Sequence, residues 1–358
     1  MSARHSEDQT EHLLSQVQTS VESKSALNIQ GGNSKQFYGH PVQAATLDIS
    51  HHQGIINYQP SELVITARAG TRLTDIESAL AAQNQMLAFE PPGFSANATL
   101  GGTIACNVSG PRRASSGAAR DSVLGCTIIN GKAEVIHSGG EVMKNVAGYD
   151  VSRLMCGAMG TLGVLLDISL KVVPKPEAEI SLVQQCDMKQ ALQKLHHWTR
   201  SMTPISASCF NNGRLYIRLS GSESALNATG KIIGGDSLSA ADDFWLQLKE
   251  HQHAFFSNRN KPLWRLSLAS SSEPLALQGE TLIEWNGALR WLKSADSADL
   301  IRQQLETLGG HATLFKHTAS LTEPFHELSS GIFKLHKQLK HAFDPHNIFN
   351  PGRMYSGI

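Results

Sequence analysis

Two glycine-rich stretches hold the residues best suited to chemistry. The first, Gly31-Gly32-Asn33-Ser34-Lys35, directly follows a short strand-like run. Consecutive glycines allow positive φ and let several N–H groups converge on one point, a geometry that meets the charge of a diphosphate without a side-chain cluster. The same residues are also ordinary turn chemistry. The second stretch runs from Pro91 to Gly110, about 20 uncharged residues made mostly of glycine and small or hydroxyl-bearing side chains. Such a composition suits close backbone approach to a large ligand better than a solvent loop. A third, Gly157-Ala158-Met159-Gly160-Thr161-Leu162-Gly163-Val164, repeats glycine at every third position before a strand. Tight strand packing explains that spacing as readily as a ligand does. It is not the nicotinamide fingerprint, which needs G-x-G-x-x-G opening a helix and an acidic residue about 20 positions on.

Other reactive residues carry less. His51-His52, His196-His197 and His251-x-His253 are pairs at i+1 or i+2 with no third ligand at suitable spacing, so they are read as solvated surface and no metal site is assigned. Arg112-Arg113 could meet a phosphate or a carboxylate bidentately, but a paired cation on a loop is more simply exposed. Arg120-Asp121 reads as a structural ion pair. Lys144 and Tyr149, a cation and a phenol in a glycine-bearing segment, are the better chemical candidates, with a salt bridge and a packed ring as their plainer roles. No convincing carboxylate anchor and base accompany them, and the catalytic residues stay unassigned.

The elements that position these stretches alternate along the chain. Leu13, Leu14, Val17 and Val21 put a helix over about Glu11 to Lys24, followed by a strand over Ala26 to Gln30. Leu63 to Ala67 reads as a strand, Thr74-Asp75-Ile76-Glu77 as a capping box opening a helix to Gln83, and Met86 to Phe89 as a strand. Pro174-Lys175-Pro176 ends the strand Leu165 to Val173 and marks a linker. Beyond it glycine thins, Trp245, Trp264, Trp285 and Trp291 occur, and helices such as Met188 to Ser201 alternate with strands such as Arg214 to Leu219. A last helix, Phe333 to Ala342, precedes a turn-rich tail.

Composition narrows the function. The chain has 358 residues, 31 Lys+Arg against 31 Asp+Glu, so no net field draws it to nucleic acid or an anionic bilayer. Its five cysteines are scattered and odd in number, as reduced thiols in a reducing compartment would be, and no C-x-x-C pair offers zinc or iron–sulfur ligation. Neither a signal-peptide core nor a run of about 18 apolar residues occurs. The reading is a cytoplasmic protein.

Taken in order, the three glycine stretches resemble the vanillyl-alcohol-oxidase (PCMH) type of FAD-binding fold, over about residues 25 to 176 and the last 15. Within it, Arg120-Asp121-Ser122-Val123-Leu124-Gly125, the run Gly139 to Asp150, and Gly287-Ala288-Leu289-Arg290-Trp291-Leu292 resemble the small flavin-binding subunits of bacterial glycolate oxidase. The resemblance implies an α+β fold of two subdomains: an FAD-binding domain over 1–175, a small α+β cap over 176–330, and a segment 331–358 returning to the FAD domain. It implies that Gly31, Gly32, Asn33 and Ser34 hold the pyrophosphate, with Pro92, Thr99, Leu100, Gly101, Gly102 and Thr103 on the other side. Ser109 and Gly110 would lie along the cofactor, and Gly163 and Val164 near its adenine end. FAD is expected to be non-covalent, since the first loop has no His and Cys106 is more simply a small buried residue. The partners implied are a larger catalytic flavoprotein subunit and an iron–sulfur subunit, with membrane contact only peripheral, at the inner face, through the complex. The H-x-G-D-G-N-x-H stretch of the larger subunits is absent here. A self-sufficient oxidase of another small hydroxy acid or alcohol and a redox-silent scaffold are the alternatives.

Overall fold

Apolar periodicity builds the first element. Leu13 and Val17, four apart on helix Thr10–Ser23, are buried, and the Asp8 carboxylate accepts the Thr10 N–H at 2.9 Å as the helix begins. That bond, with Arg68 3.0 Å from the same carboxylate, holds Asp8 well below the usual carboxylate range. The strand Leu27–Gln30 follows and pairs in parallel with Ala45–Asp48. The structure, a computed structural model, describes residues 7–140, 150–257, 260–316 and 323–358. Its contacts divide into two compact units. One comprises Met1–Ser109, Ala118–Pro174 and Glu327–Ile358; the other comprises Gly110–Gly117 and Lys175–His326.

The first unit is organised on a five-stranded antiparallel sheet in the order Ile55–Gln59, Val64–Arg68, Val164–Lys171, Val123–Ile129, Val135–Gly139. Its central strand, Val164–Lys171, is a near-continuous apolar run, and Val164, Ile168 and Leu170 are fully buried with Ile65 and Ile128. Each such side chain stabilises the fold by about 1.5–3 kcal/mol. Three local expectations need correction. Helix Leu73–Ala81 starts two residues early, with no side-chain cap at Arg72, because burial of Leu73 and its N–H bond to the Ala98 carbonyl (2.8 Å) override the Thr74–Glu77 capping box. Of the expected strand only Met86 is paired, in the two-residue strand Gln85–Met86; Leu87 and Phe89 are buried in the core without a ladder. The uncharged second stretch is not all loop, since Thr99 caps a helix Leu100–Cys106 whose Leu100 and Ile104 are buried.

The segment after helix Ser330–Phe343 packs within the same unit. Lys340 is buried and donates to the Thr161 and Phe349 carbonyls (2.8 and 2.7 Å) and to the Asp344 carboxylate (2.8 Å). Asp344 in turn accepts the Ile348 and Phe349 N–H groups. Burial lowers the Lys340 ammonium below its usual range, with Asp344 opposing the shift.

The second unit is an eight-stranded antiparallel sheet with helices packed on it. Helix Met188–Arg200 carries a complete capping box, Asp187 with Gln190, and buries Leu192, Leu195 and Trp198. Here two surface assignments are overturned. Arg112 is buried, bonded to Glu179 and Ser220, while Arg113 lies over the Trp285 ring at 4.4 Å. His251 stacks on Phe256 at 3.9 Å beside Trp291, and burial pushes its imidazole well below its ordinary range. In the first unit His52 is likewise internal, its Nδ1 accepting the Gln9 N–H at 3.0 Å, whereas His51, His196 and His197 are exposed. Arg120 and Asp121 are 3.9 Å apart and half exposed, and the Asp121 carboxylate accepts the Ala118 N–H. Lys144 and Tyr149 lie outside the described residues. Among the described residues no helix is long and apolar enough to cross a membrane, and no group of three or more His, Cys, Asp or Glu could hold a metal ion.

Candidate cofactor site

A cleft of about 890 Å³, its open mouth included, lies within the first unit. That is the size of a cofactor pocket. Its wall combines the first glycine loop, the helix Leu100–Cys106, the Gly160 turn and the tail. Ile29, Ile49, Met155, Met159 and Leu165 supply an apolar side. Among the described residues, the polar side holds two cations, Lys35 and Arg353, and no carboxylate.

The loop N–H groups divide sharply. None of the N–H groups of Gly31, Gly32, Asn33 and Ser34 donates a hydrogen bond among the described residues. On the second stretch, Leu100 N–H donates to the Thr71 carbonyl (2.9 Å), Gly101 N–H to Ala69 (2.7 Å) and Thr103 N–H to Thr99 (3.0 Å). The Gly102 N–H meets the Thr99 hydroxyl at 3.3 Å. Four N–H groups without internal partners in a cavity wall require water or a ligand acceptor, because an unmet donor costs about as much as a lost hydrogen bond. The first loop can therefore receive an anion, while the second is engaged with its own unit.

Steric demands explain the glycines of both. A Cβ at Gly32 would stand 1.5 Å from the Asn97 carbonyl oxygen, and one at Gly31 2.5 Å from the Thr99 hydroxyl. At Gly101 it would meet Ala69 at 2.8 Å. These residues let the two loops touch. The Gly160 turn is closed by the tail in the same way: Gly160 has φ +72, and a Cβ there would reach Asn350 Nδ2 at 2.7 Å. That amide donates to the Met159 carbonyl (2.7 Å) while Asn350 Oδ1 accepts the Ile29 N–H (2.8 Å). Arg353 ties the tail to the segment after the first loop, donating to the His40 and Gln36 carbonyls at 2.7 and 3.2 Å. Burial lowers its guanidinium below the usual range. Cys106 also lines the cleft, and burial raises its thiol, with Lys35 and Arg353 opposing the shift.

Of the residues singled out from sequence, Gly31, Gly32, Asn33, Ser34, Thr99, Gly101, Gly102 and Gly163 are brought into one wall. Pro92, Leu100, Thr103, Ser109, Gly110 and Val164 are not in it. Leu100 and Thr103 are core residues beneath it, and Val164 is fully buried and paired with Ile129 in the sheet. The Ser109 hydroxyl accepts the Ala119 N–H. Gly110 belongs to the second unit, where its carbonyl accepts the Trp285 indole N–H at 2.9 Å. The resemblance implied a tail returning to the FAD domain, but sequence reasoning missed Lys35 and Arg353 as cavity cations and Asn350 as a wall residue. The only local signals were a lysine closing the glycine run and polar residues in a turn-rich tail.

Comparison with known proteins places the geometry. Residues 8–139 match the family model described as FAD binding domain. The chain is 48% identical over 351 residues, 98% of its length and 99% of the relative's, to glycolate oxidase subunit GlcE of Escherichia coli (strain K12). It is 35% identical over 129 residues to a D-lactate dehydrogenase of Anaerostipes hadrus, 36% of this chain and 27% of that one. With glycolate oxidase subunit GlcD of Bacillus subtilis (strain 168) it shares 34% identity over 133 residues, 37% of this chain and 28% of the relative. A solved structure of alkyldihydroxyacetonephosphate synthase superposes with a TM-score of 0.67 at 13% identity, covering 95% of this chain and 75% of that one. That likeness establishes the α+β FAD-binding fold.

Proposed function

The chain belongs to the glycolate oxidase subunit GlcE family, and on that premise we propose that it is the FAD-binding subunit of a complex that oxidises glycolate to glyoxylate. The observation that carries the reading is the row of four N–H groups, Gly31 to Ser34, unengaged among the described residues, in a cleft whose described charged lining residues are cations. A dinucleotide's diphosphate is what such a wall accepts. Gly31, Gly32, Asn33 and Ser34 hold it; Thr99, Gly101 and Gly102 pack the loop from behind; and Gly163 gives room at the adenine end. The apolar side, with Ile29, Ile49 and Leu165, receives aromatic surface.

FAD, when bound, supplies the two-electron acceptor. It is held non-covalently, since the one thiol in the wall, Cys106, is kept protonated by burial and is a poor nucleophile. The substrate's acid–base groups come from a larger flavoprotein subunit, and an iron–sulfur subunit carries electrons onward. The complex works in the cytoplasm and touches the membrane only through its partners.

Expression alone and with the partner subunits tests this reading. The isolated chain is expected to purify yellow, to release its FAD intact on denaturation, and to leave the flavin oxidised when glycolate is added. Glycolate-dependent dye reduction is expected only in the assembled complex. Soluble, folded protein that takes up no FAD overturns the cofactor assignment, and full turnover by the isolated chain overturns the division of labour.

A further inference from the structure

We infer that the second unit carries a binding site for a small zwitterion of the amino-acid type, held between Arg214 and Glu280 in a polar cavity. The site stands apart from the cofactor reading, because every residue that builds it lies within Lys175–His326.

An ion pair that the sheet invites and does not make points to it. Glu280 and Lys293 stand directly opposite each other where strands Glu280–Glu284 and Leu289–Lys293 pair, a placement in which opposite charges stabilise a sheet. The Lys293 side chain is instead 3% exposed, with its ammonium 4.8 Å from the centre of the Phe255 ring and no hydrogen-bond acceptor among the described residues. Glu280 is left without an ion-pair partner among the described residues. It lines a cavity of about 850 Å³, open mouth included, together with Phe255, Arg214, Tyr216 and His253. Arg214 likewise forms no ion pair among the described residues. One cation and one anion therefore face the same space without neutralising each other.

Strand Ile205–Asn211 separates the strands of Arg214 and Glu280, so their backbones are two strand spacings apart, roughly 10 Å. A small molecule with opposite charges at its two ends spans what the side chains leave of that gap. The neutral groups of the wall are fixed in place. Tyr216 stacks on Phe244 at 4.3 Å, and His253 meets the same ring edge-on at 5.6 Å. The Phe255 N–H donates to His253 Nδ1 at 3.2 Å, so the neutral imidazole keeps its proton on Nε2. Burial lowers this imidazole below its usual range, which favours that neutral form. Its Nε2–H and the Tyr216 hydroxyl have no partner among the described residues. With the Arg214 guanidinium they are donors for a carboxylate. Glu280 accepts from an ammonium, and Asn211, buried and donating through Nδ2 to the Thr281 carbonyl at 3.1 Å, keeps Oδ1 as a second acceptor. A ligand with one charge would leave the opposite wall group unpaired, so the cavity discriminates in favour of a zwitterion.

The test titrates the full chain calorimetrically with glycine, β-alanine and γ-aminobutyrate, whose charges lie increasingly far apart. Acetate, methylamine and glycolate, which carry one charge each, are the controls. At least one zwitterion is expected to bind with a millimolar or tighter Kd, and each control about 10-fold or more weakly than it. Arg214→Gln and Glu280→Gln are each expected to weaken that zwitterion about 10- to 100-fold, the cost of a charge-assisted bond. Both side chains are exposed, so FAD content and melting temperature are expected to match the wild type. Absence of binding by all three zwitterions overturns the inference. So does a control that binds as tightly as the best of them, or binding that survives both substitutions. A chain that takes up no FAD is titrated as purified, so failure of the cofactor reading leaves this test intact.

Discussion

The two glycine loops of the first unit look alike in composition and differ in where their N–H groups go. Those of Gly31 to Ser34 are unengaged, whereas those of Leu100, Gly101 and Thr103 are bonded to carbonyls of their own unit. Glycine serves both loops for the same steric reason, since a Cβ at Gly31, Gly32 or Gly101 would collide with a neighbouring residue. The difference teaches that glycine density marks close approach, and that hydrogen-bond accounting is needed to say whether the approaching body is a ligand or another piece of the chain. In this molecule the first loop presents donors and the second buttresses it.

The comparison can be broken in three places. The largest effect is expected from Gly32→Ala. With 1.5 Å between the new Cβ and the Asn97 oxygen, the loops must separate, at a cost of about 3 kcal/mol. Both the melting temperature and the FAD content of the purified variant should fall together. Thr99→Ala removes the cap of helix Leu100–Cys106; a loss of about 1 kcal/mol is expected in denaturant unfolding, while FAD affinity stays within about 3-fold. If Thr99→Ala lost FAD as completely as Gly32→Ala does, the second loop would be a direct ligand and the contrast would collapse. The smallest effect concerns the rate of Cys106 alkylation in the flavin-free chain. Because burial raises this thiol, the thiolate is scarce at neutral pH and labelling should keep accelerating beyond the ordinary thiol range. Bound FAD should suppress it at every pH, and a rate indifferent to FAD would remove Cys106 from the cofactor wall.

Much of this was legible in the sequence because it is local. Helices Thr10–Ser23 and Met188–Arg200 and strand Arg214–Gly221 follow from periodicity that needs no distant partner. The glycine runs pointed to stretches that meet in one cleft wall. What was not legible depends on contacts across the chain. The helix inside the second stretch runs against the low propensity of Gly101, Gly102 and Thr103 and is held by burial of Leu100 and Ile104. Arg112 reads as an exposed loop cation until Glu179 and Ser220 are brought to it from 67 and 108 positions away. Whether the Gly101 N–H is available depends on the Ala69 carbonyl. Arg353 could be assigned to the cleft only once Gln36 and His40 were seen to receive it.

The wall that Asn350 and Arg353 close also begins at Asn28 and Ile29. A nascent chain delivers these two sides far apart in time. While residue 353 is still inside the ribosome, the first loop and the tail cannot meet, and the cleft does not exist. At about 5–20 residues per second the interval is tens of seconds. Cofactor loading therefore follows synthesis of the tail, and a ribosome stalled within the second unit would display a fragment with the glycine loop present and no pocket around it.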